Sequence, residues 1–526
     1  MHRLIFPCRS LATYVVVIGL ALSACSAIRG DDGFPSVELD SGTVVGDRTE
    51  TSIVFKGIPF AAAPVGALRW RPPKPVSSWK GLRSATQFGP ACIQSAQGSW
   101  PPDFTPLDTS EDCLYLNVWA PRRRQGSKYP VMVWIHGGGW TNGSASAPLY
   151  DGQVLSAEGV VVVSINYRLG ALGMLAHPSL SAESDHGVSG NYGILDQIAA
   201  LQWVRRNISV FGGDPKSVTI FGQSAGSMAV SVLMASPLAK GLFHRAIGQS
   251  GALMLPIAAS PRGGEYLVKG AEEAGARLTA HLGQSAAELR ARPATDFVAL
   301  RGFSSHPVID GYVLPDEPYK VFSRGEQNDV PLLLGSTSQE GVGFVGGVRS
   351  TVASFLADVS KAFGPLGARL APIYATGSDS EAAASRVDLE GDLRFGWETR
   401  TWAMLHAQTG RQPTYVYRFD YTRVAATSVI SAKPGAAHGD EMRFVFGRRD
   451  PEWTTAEEDL SRFVRRSWVQ FARTGSPNGR DLPKWPRLNP ATEEVMVVGA
   501  MPVVRERPDR GRLRQLDVVF ETLRSK

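Results

Sequence analysis

Ser217–Val218–Thr219–Ile220–Phe221–Gly222–Gln223–Ser224–Ala225–Gly226–Ser227 decides how this chain is read. A short β-branched run enters a Gly-x-Ser-x-Gly turn, and the small residues of a helix start follow with Ser227, Met228, Ala229 and Val230. Strand, tight turn and helix in that order hold a serine in a strained backbone pose, with its hydroxyl exposed above a parallel sheet. Gly222 and Gly226 flank the serine because side chains there would collide as strand and helix close on each other. The pattern alone is common in a chain with 55 glycines. Its weight depends on whether distant residues supply a base, an acid to orient the base, and donors for an oxyanion.

The donors come first. The apolar run 131–135 leads into His136–Gly137–Gly138–Gly139–Trp140, where consecutive glycines let backbone N–H groups turn inward unobstructed. The N–H groups of Gly138, Gly139 and Ala225 are the expected oxyanion hole, with Trp140 as a wall of the substrate pocket. Of nine histidines, His136 stands too early for the chain order serine, acid, histidine. His244, His281, His306 and His406 lie in helical or loop stretches without supporting glycine. His438 sits in the small-residue loop Gly435–Ala436–Ala437–His438–Gly439, which can present an imidazole to a cleft; it is the candidate base, and its assignment rests mostly on the family resemblance described below. The acid should follow a sheet strand, and Glu340 does so after Leu332–Leu333–Leu334–Gly335. Asp310 is the rival, in a turn ahead of that strand where capping local backbone is its simpler use.

The remaining pattern predicts an α/β protein. Runs at 115–119, 131–135, 160–165, 218–221 and 332–334 are short, apolar and bounded by turns, as in parallel strands covered on both faces. Helical stretches such as 194–204 alternate with them, which predicts one doubly covered sheet. A hairpin is expected over 37–55 with its turn near Gly46 and Asp47. The Ala-rich segments 255–300 and 345–410 read as helical cap insertions over the sheet edge.

Several motifs together resemble the type-B carboxylesterases, the group that includes cholinesterases and bacterial para-nitrobenzyl esterases. Phe211–Gly212–Gly213–Asp214–Pro215 through Gly226 is similar to that family's serine signature, and Glu111–Asp112–Cys113–Leu114–Tyr115–Leu116–Asn117–Val118 to its second one. Asn166–Tyr167–Arg168–Leu169–Gly170, Gly190–Asn191–Tyr192–Gly193, Gln249–Ser250–Gly251 and Ala437–His438–Gly439 extend the likeness over most of the chain. The resemblance implies the α/β-hydrolase fold, a large mostly parallel sheet with helices on both faces and helical cap insertions. It also implies ester hydrolysis by a Ser224–His438–Glu340 triad, a Cys92–Cys113 disulfide, and Arg168–Asp196 and Arg69–Glu111 ion pairs. The family usually carries Glu before the serine, where this chain has Gln223, expected with Trp100 to border the substrate pocket. Trp100, inside the Cys92–Cys113 loop, matches the region where cholinesterases hold a cation with an indole. An uncharged Gln223 argues against choline esters all the same. A long-chain lipase and a silent adhesion module of the same fold are the alternative functions.

The termini and composition set the setting. A start with Arg3 and Arg9, an apolar run at 11–22 and the sequence Leu22–Ser23–Ala24–Cys25 read as a secretory signal that resembles a bacterial lipobox. Residues 1–24 are then the signal, 25–33 a polar tether from a lipidated Cys25, and 34–526 a single domain exported to the cell envelope. Export places Cys92 and Cys113 in an oxidising compartment, where they are expected to pair. The hydrophobic (43%) and charged (20%) fractions are those of an ordinary soluble domain. Without Arg3 and Arg9, 53 basic side chains face 49 acidic ones, and no basic stripe suggests a nucleic-acid partner. No metal-ligand spacing is present, so neither metal nor organic cofactor is expected; the partner is a small ester. The number of subunits is left open.

Overall fold

The computed structural model describes residues 34–525, apart from 95–107, 123–127, 258–262, 299, 346–349, 375, 423–433 and 449–452. The signal, the tether, Cys25 and Trp100 lie outside the described residues.

Among the described residues, eleven strands form the central sheet. They are β1 (Asp47–Arg48), β2 (Ser52–Pro59), β3 (Tyr115–Pro121), β4 (Tyr129–Ile135), β5 (Val161–Ile165), β6 (Gly213–Gln223), β7 (Arg245–Gln249), β8 (Leu332–Thr337), β9 (Thr414–Phe419), β10 (Glu494–Val498) and β11 (Val503–Glu506). Their spatial order is β11-β10-β9-β8-β7-β6-β4-β5-β3-β2-β1. The run from β5 to β10 is parallel throughout, and the antiparallel pairings lie at the two flanks.

Both faces are covered, as the apolar runs require. Side chains alternate across a strand, so Val131, Val133 and Ile135 of β4 enter one apolar layer while Met132 and Trp134 enter the other. The first layer is completed by the helices Tyr192–Asn207, Ala225–Ala235 and Arg510–Arg524. The second is completed by Met442–Phe446 and Thr455–Thr474.

Three expectations need correction. The run at 115–119 is a buried strand, but β3 pairs antiparallel with both β2 and β5. Burial on both faces reports coverage by helices and not strand direction. The hairpin turn lies at Asp40–Ser41, where Ser36–Leu39 pairs with Gly42–Val45 in a small separate sheet. Gly46 instead carries the chain from that sheet into β1, and a Cβ there would sit 2.4 Å from the Val54 carbonyl. The 345–410 segment is not all cap: its last helix, Trp397–Thr409, lays Trp402 against Gly248 of β7 and belongs to the first sheet layer.

β6 is the sixth strand of the eleven. After β4 the chain moves outward to β5, then returns across β4 to lay β6 on its other side. The carboxyl ends of β4 and β6 therefore flank a topological switch point, where open α/β sheets build their ligand crevices.

Candidate active site

Ser224 follows β6 and precedes the helix Ala225–Ala235, with φ 57° and ψ −126°. A non-glycine residue with positive φ is strained and persists only where its surroundings hold it. Here Ser224 N–H donates to the Gln249 carbonyl at 2.8 Å, and the next strand's Ser250 N–H donates to Gly335 O at 2.8 Å. The flanking glycines behave as the motif requires. A Cβ on Gly222 would meet the Gly226 backbone at 2.5 Å, and one on Gly226 would meet the Ile135 carbonyl at 2.1 Å.

The glycine loop after β4 lies beside this elbow. Gly138 (φ 106°), Gly139 (φ 60°) and Trp140 (φ 64°) are all left-handed, and a Cβ on Gly138 would fall 2.0 Å from Asn142 O. Gly138, Gly139, Trp140, Ser224 and Ala225 line one cavity of about 680 Å³. His136 is structural: buried, stacked on Tyr167 at 4.4 Å, and pushed down to about 4 by that burial.

Glu340 and His438 come together through the backbone. Beyond β8 and β9 the chain makes one further parallel bridge, Gln339 with Ala437, closed by Gln339 N–H to Ala436 O at 2.8 Å. That places the buried Glu340 carboxylate 2.5 Å from His438 Nδ1, while its other oxygen accepts the Thr337 N–H at 2.7 Å. A carboxylate can only accept, so Nδ1 carries the proton and Nε2 of the neutral ring is an acceptor. The Gln223 amide donates to that Nε2 at 3.0 Å. His438 lines the same cavity as Ser224, whereas Gln223 is absent from its lining and lies against the imidazole instead.

Asp310 is used up locally. One of its oxygens accepts the N–H groups of Tyr312, Val313 and Leu314, and the other accepts from Asn191. The expected ion pairs are formed, Arg168 to Asp196 at 2.8 Å and Arg69 to Glu111 at 2.7 Å. Cys92 and Cys113 are disulfide-bonded. No group of side chains that could hold a metal occurs among the described residues.

Sequence reading missed four residues at this site. Phe395 stacks on the His438 ring, and Phe344 meets it edge-on at 5.3 Å. Arg394 lines the cavity paired to Glu390 at 2.8 Å. Glu398 also lines it, buried, accepting the N–H groups of Met254 (2.6 Å) and Leu255 (3.3 Å) and pushed up to about 8 by burial. Phe395 lies in a π-helical turn, Asp392–Gly396, between two α-helices. Such a turn shifts the facing of every later side chain and has no sequence signal comparable to a glycine motif.

The sequence model described as the carboxylesterase family matches residues 34–515. Fumonisin B1 esterase of Sphingopyxis macrogoltabida is 37% identical, over 88% of this chain and 85% of that protein. Carboxylesterase 1D of Rattus norvegicus is 36% identical over 96% of this chain and 95% of its own length. Among solved structures, a PNB esterase superposes with a TM-score of 0.79 at 32% identity, covering 92% of this chain and 99% of that one.

Proposed function

We propose, since the chain belongs to the carboxylesterase family and is a carboxylic-ester hydrolase, that it works by acyl transfer through Ser224, His438 and Glu340. The observation that carries this reading is the Glu340–His438 hydrogen bond opening onto the cavity that the Ser224 elbow lines. His438 Nε2 takes the Ser224 proton as Oγ attacks the ester carbonyl, and Glu340 fixes the tautomer and steadies the imidazolium. The N–H groups of Gly138, Gly139 and Ala225 receive the oxyanion, each worth roughly 10²–10³ in kcat. The imidazolium then protonates the departing alcohol, and water repeats the sequence on the acyl-enzyme.

The cavity supports a small to medium ester with an apolar portion. Trp140, Leu255, Ile309, Leu393 and Phe520 supply apolar wall. Among the described lining residues Glu390 is paired with Arg394 at 2.8 Å, Glu317 with Lys320 at 2.6 Å, and Glu398 is pushed up to about 8, so the wall offers little uncompensated charge. Ser224→Ala should lower kcat toward a p-nitrophenyl ester by about 10⁶ if the three side chains act as one unit. Retention of a tenth of the activity would end the proposal.

The domain plan of signal, tether and a single domain over 34–526, export to the cell envelope, and anchoring through a lipidated Cys25 belong to the same reading. They are supported by the Leu22–Ser23–Ala24–Cys25 sequence. No helix among the described residues is long and apolar enough to cross a membrane. Cys25→Ala should move the protein from the membrane fraction to the soluble fraction.

A further inference from the structure

Nε2 of a neutral imidazole has one in-plane lone pair. At His438 that pair already accepts the Gln223 amide at 3.0 Å, while Glu340 holds the opposite nitrogen. The Ser224 hydroxyl and the Gln223 amide therefore compete for one acceptor. Gln223 ends β6 on the face shared with Phe221, the face that also packs Ala436 and Met442 on either side of the histidine. Its side chain is 7% exposed and held between two glycines. A Cβ on Gly137 would stand 3.2 Å from its Oε1, and one on Gly439 3.5 Å from its Nε2.

We propose that Gln223 is a positioning residue for the base: between turnovers its amide parks the His438 ring by donating to Nε2, and it yields that nitrogen to the Ser224 hydroxyl when an ester fills the cavity. This rests on the triad reading above. By donating to Nε2 the amide favours the neutral ring over the imidazolium. A carboxylate at the same place could only accept, and would hold the ring protonated. Glutamine before the nucleophile thus keeps the base available at lower pH than glutamate would.

Among the described residues the titratable and charged groups around the ring are Glu340 on Nδ1, Asp440 and Glu441 on its own loop, both carboxyls pushed up by burial, and Arg443 one turn on. Arg394 lies across Phe344. All are shared by the variants below, so they cancel in the comparison.

The test is kcat/KM against pH for wild type, Gln223→Glu and Gln223→Met with a p-nitrophenyl ester, alongside the pH dependence of phosphonylation by a fluorophosphonate. In Gln223→Glu the acid limb of both profiles should move up by about one pH unit, an approximately tenfold loss below the limb, with KM little changed. In Gln223→Met the limb should move the same way by less, and the alkaline plateau of kcat should not fall. A purely structural role would lower the plateau and leave the limb in place. That result, or a Gln223→Glu profile superimposable on wild type, overturns the proposal while leaving the triad standing. Wild-type protein unlabelled at Ser224 would instead defeat the triad reading itself.

Discussion

Phe395 lies flat against the His438 imidazole, ring centroids 4.1 Å apart and planes 21° from parallel. The ring is thereby held on one face by an aromatic stack and at one nitrogen by Glu340. The stack and the Glu340 bond together fix the plane of the ring, and Nε2 is presented to the Gln223 amide at 3.0 Å. A stack of this kind contributes about 0.5–1.5 kcal/mol beyond its buried area. Phe395→Leu should lower kcat by roughly 2–10-fold, the same energy expressed as a rate, with little change in KM. Steady-state kinetics on a short-chain ester would show it, and an unchanged kcat would remove the stack from the account.

Stability should fall as pH rises from about 6.5 to 8. Glu398 and Glu441 are both fully buried and pushed up to about 8 by that burial, and Glu441 Oε2 has no partner among the described residues. Between about 4.5 and 8 the folded chain holds these two protons and the unfolded chain does not, so each group removes up to about 1.4 kcal/mol per pH unit. His136 and His406, pushed down to about 4 by burial, act in the opposite sense. Their contribution is lost only as pH falls from 6.5 toward 4, and is constant above 6.5. Thermal melts at pH 6.5 and 8 should show the decline, and Glu441→Gln should flatten it. A melting temperature that rises over this interval would contradict the assignment.

Arg168 and Asp196 tie the loop after β5 to the helix Tyr192–Asn207. Two guanidinium N–H groups reach the carboxylate at 2.8 Å, and Arg168's own backbone N–H adds a third bond at 3.0 Å. Asp196→Ala leaves a buried guanidinium uncompensated, which should cost about 3–5 kcal/mol by denaturant titration. Arg168→Met combined with Asp196→Leu should recover most of that loss, because no buried charge remains. A double variant as unstable as the single one would mean that the shape of the pair matters more than its charge.

The elements that sequence alone revealed are those with a local steric reason. Gly222, Gly226 and Gly138 each stand where a Cβ would strike backbone, so the strand–turn–helix and the glycine loop could be read directly. The contact between Glu340 and His438 was expected from chain order, from the strand before the acid and, for His438, mostly from the family resemblance. β7 escaped because Arg245, Gly248 and Gln249 interrupt its apolar run, and its burial comes from the neighbours β6 and β8. β9 and β10 were hidden for a related reason, since polar residues open or interrupt each of them. The antiparallel direction of β3 depends on which strands it meets, a fact of topology. Phe395 could not be found at all, because a single π-helical turn decides where it points. Gln223 was visible as a departure from the family pattern, but its contact with His438 needs a bridge between segments far apart in sequence.

The central claim is that Ser224 is a nucleophile raised by its own strained elbow and activated by His438. Incubating the folded protein with a fluorophosphonate and mapping the adduct by peptide mass spectrometry tests it most directly. One phosphonyl group on Ser224, lost in Ser224→Ala and slowed by several orders of magnitude in His438→Ala, is the predicted result. Labelling at another residue, or labelling of Ser224 at an undiminished rate without His438, would contradict it.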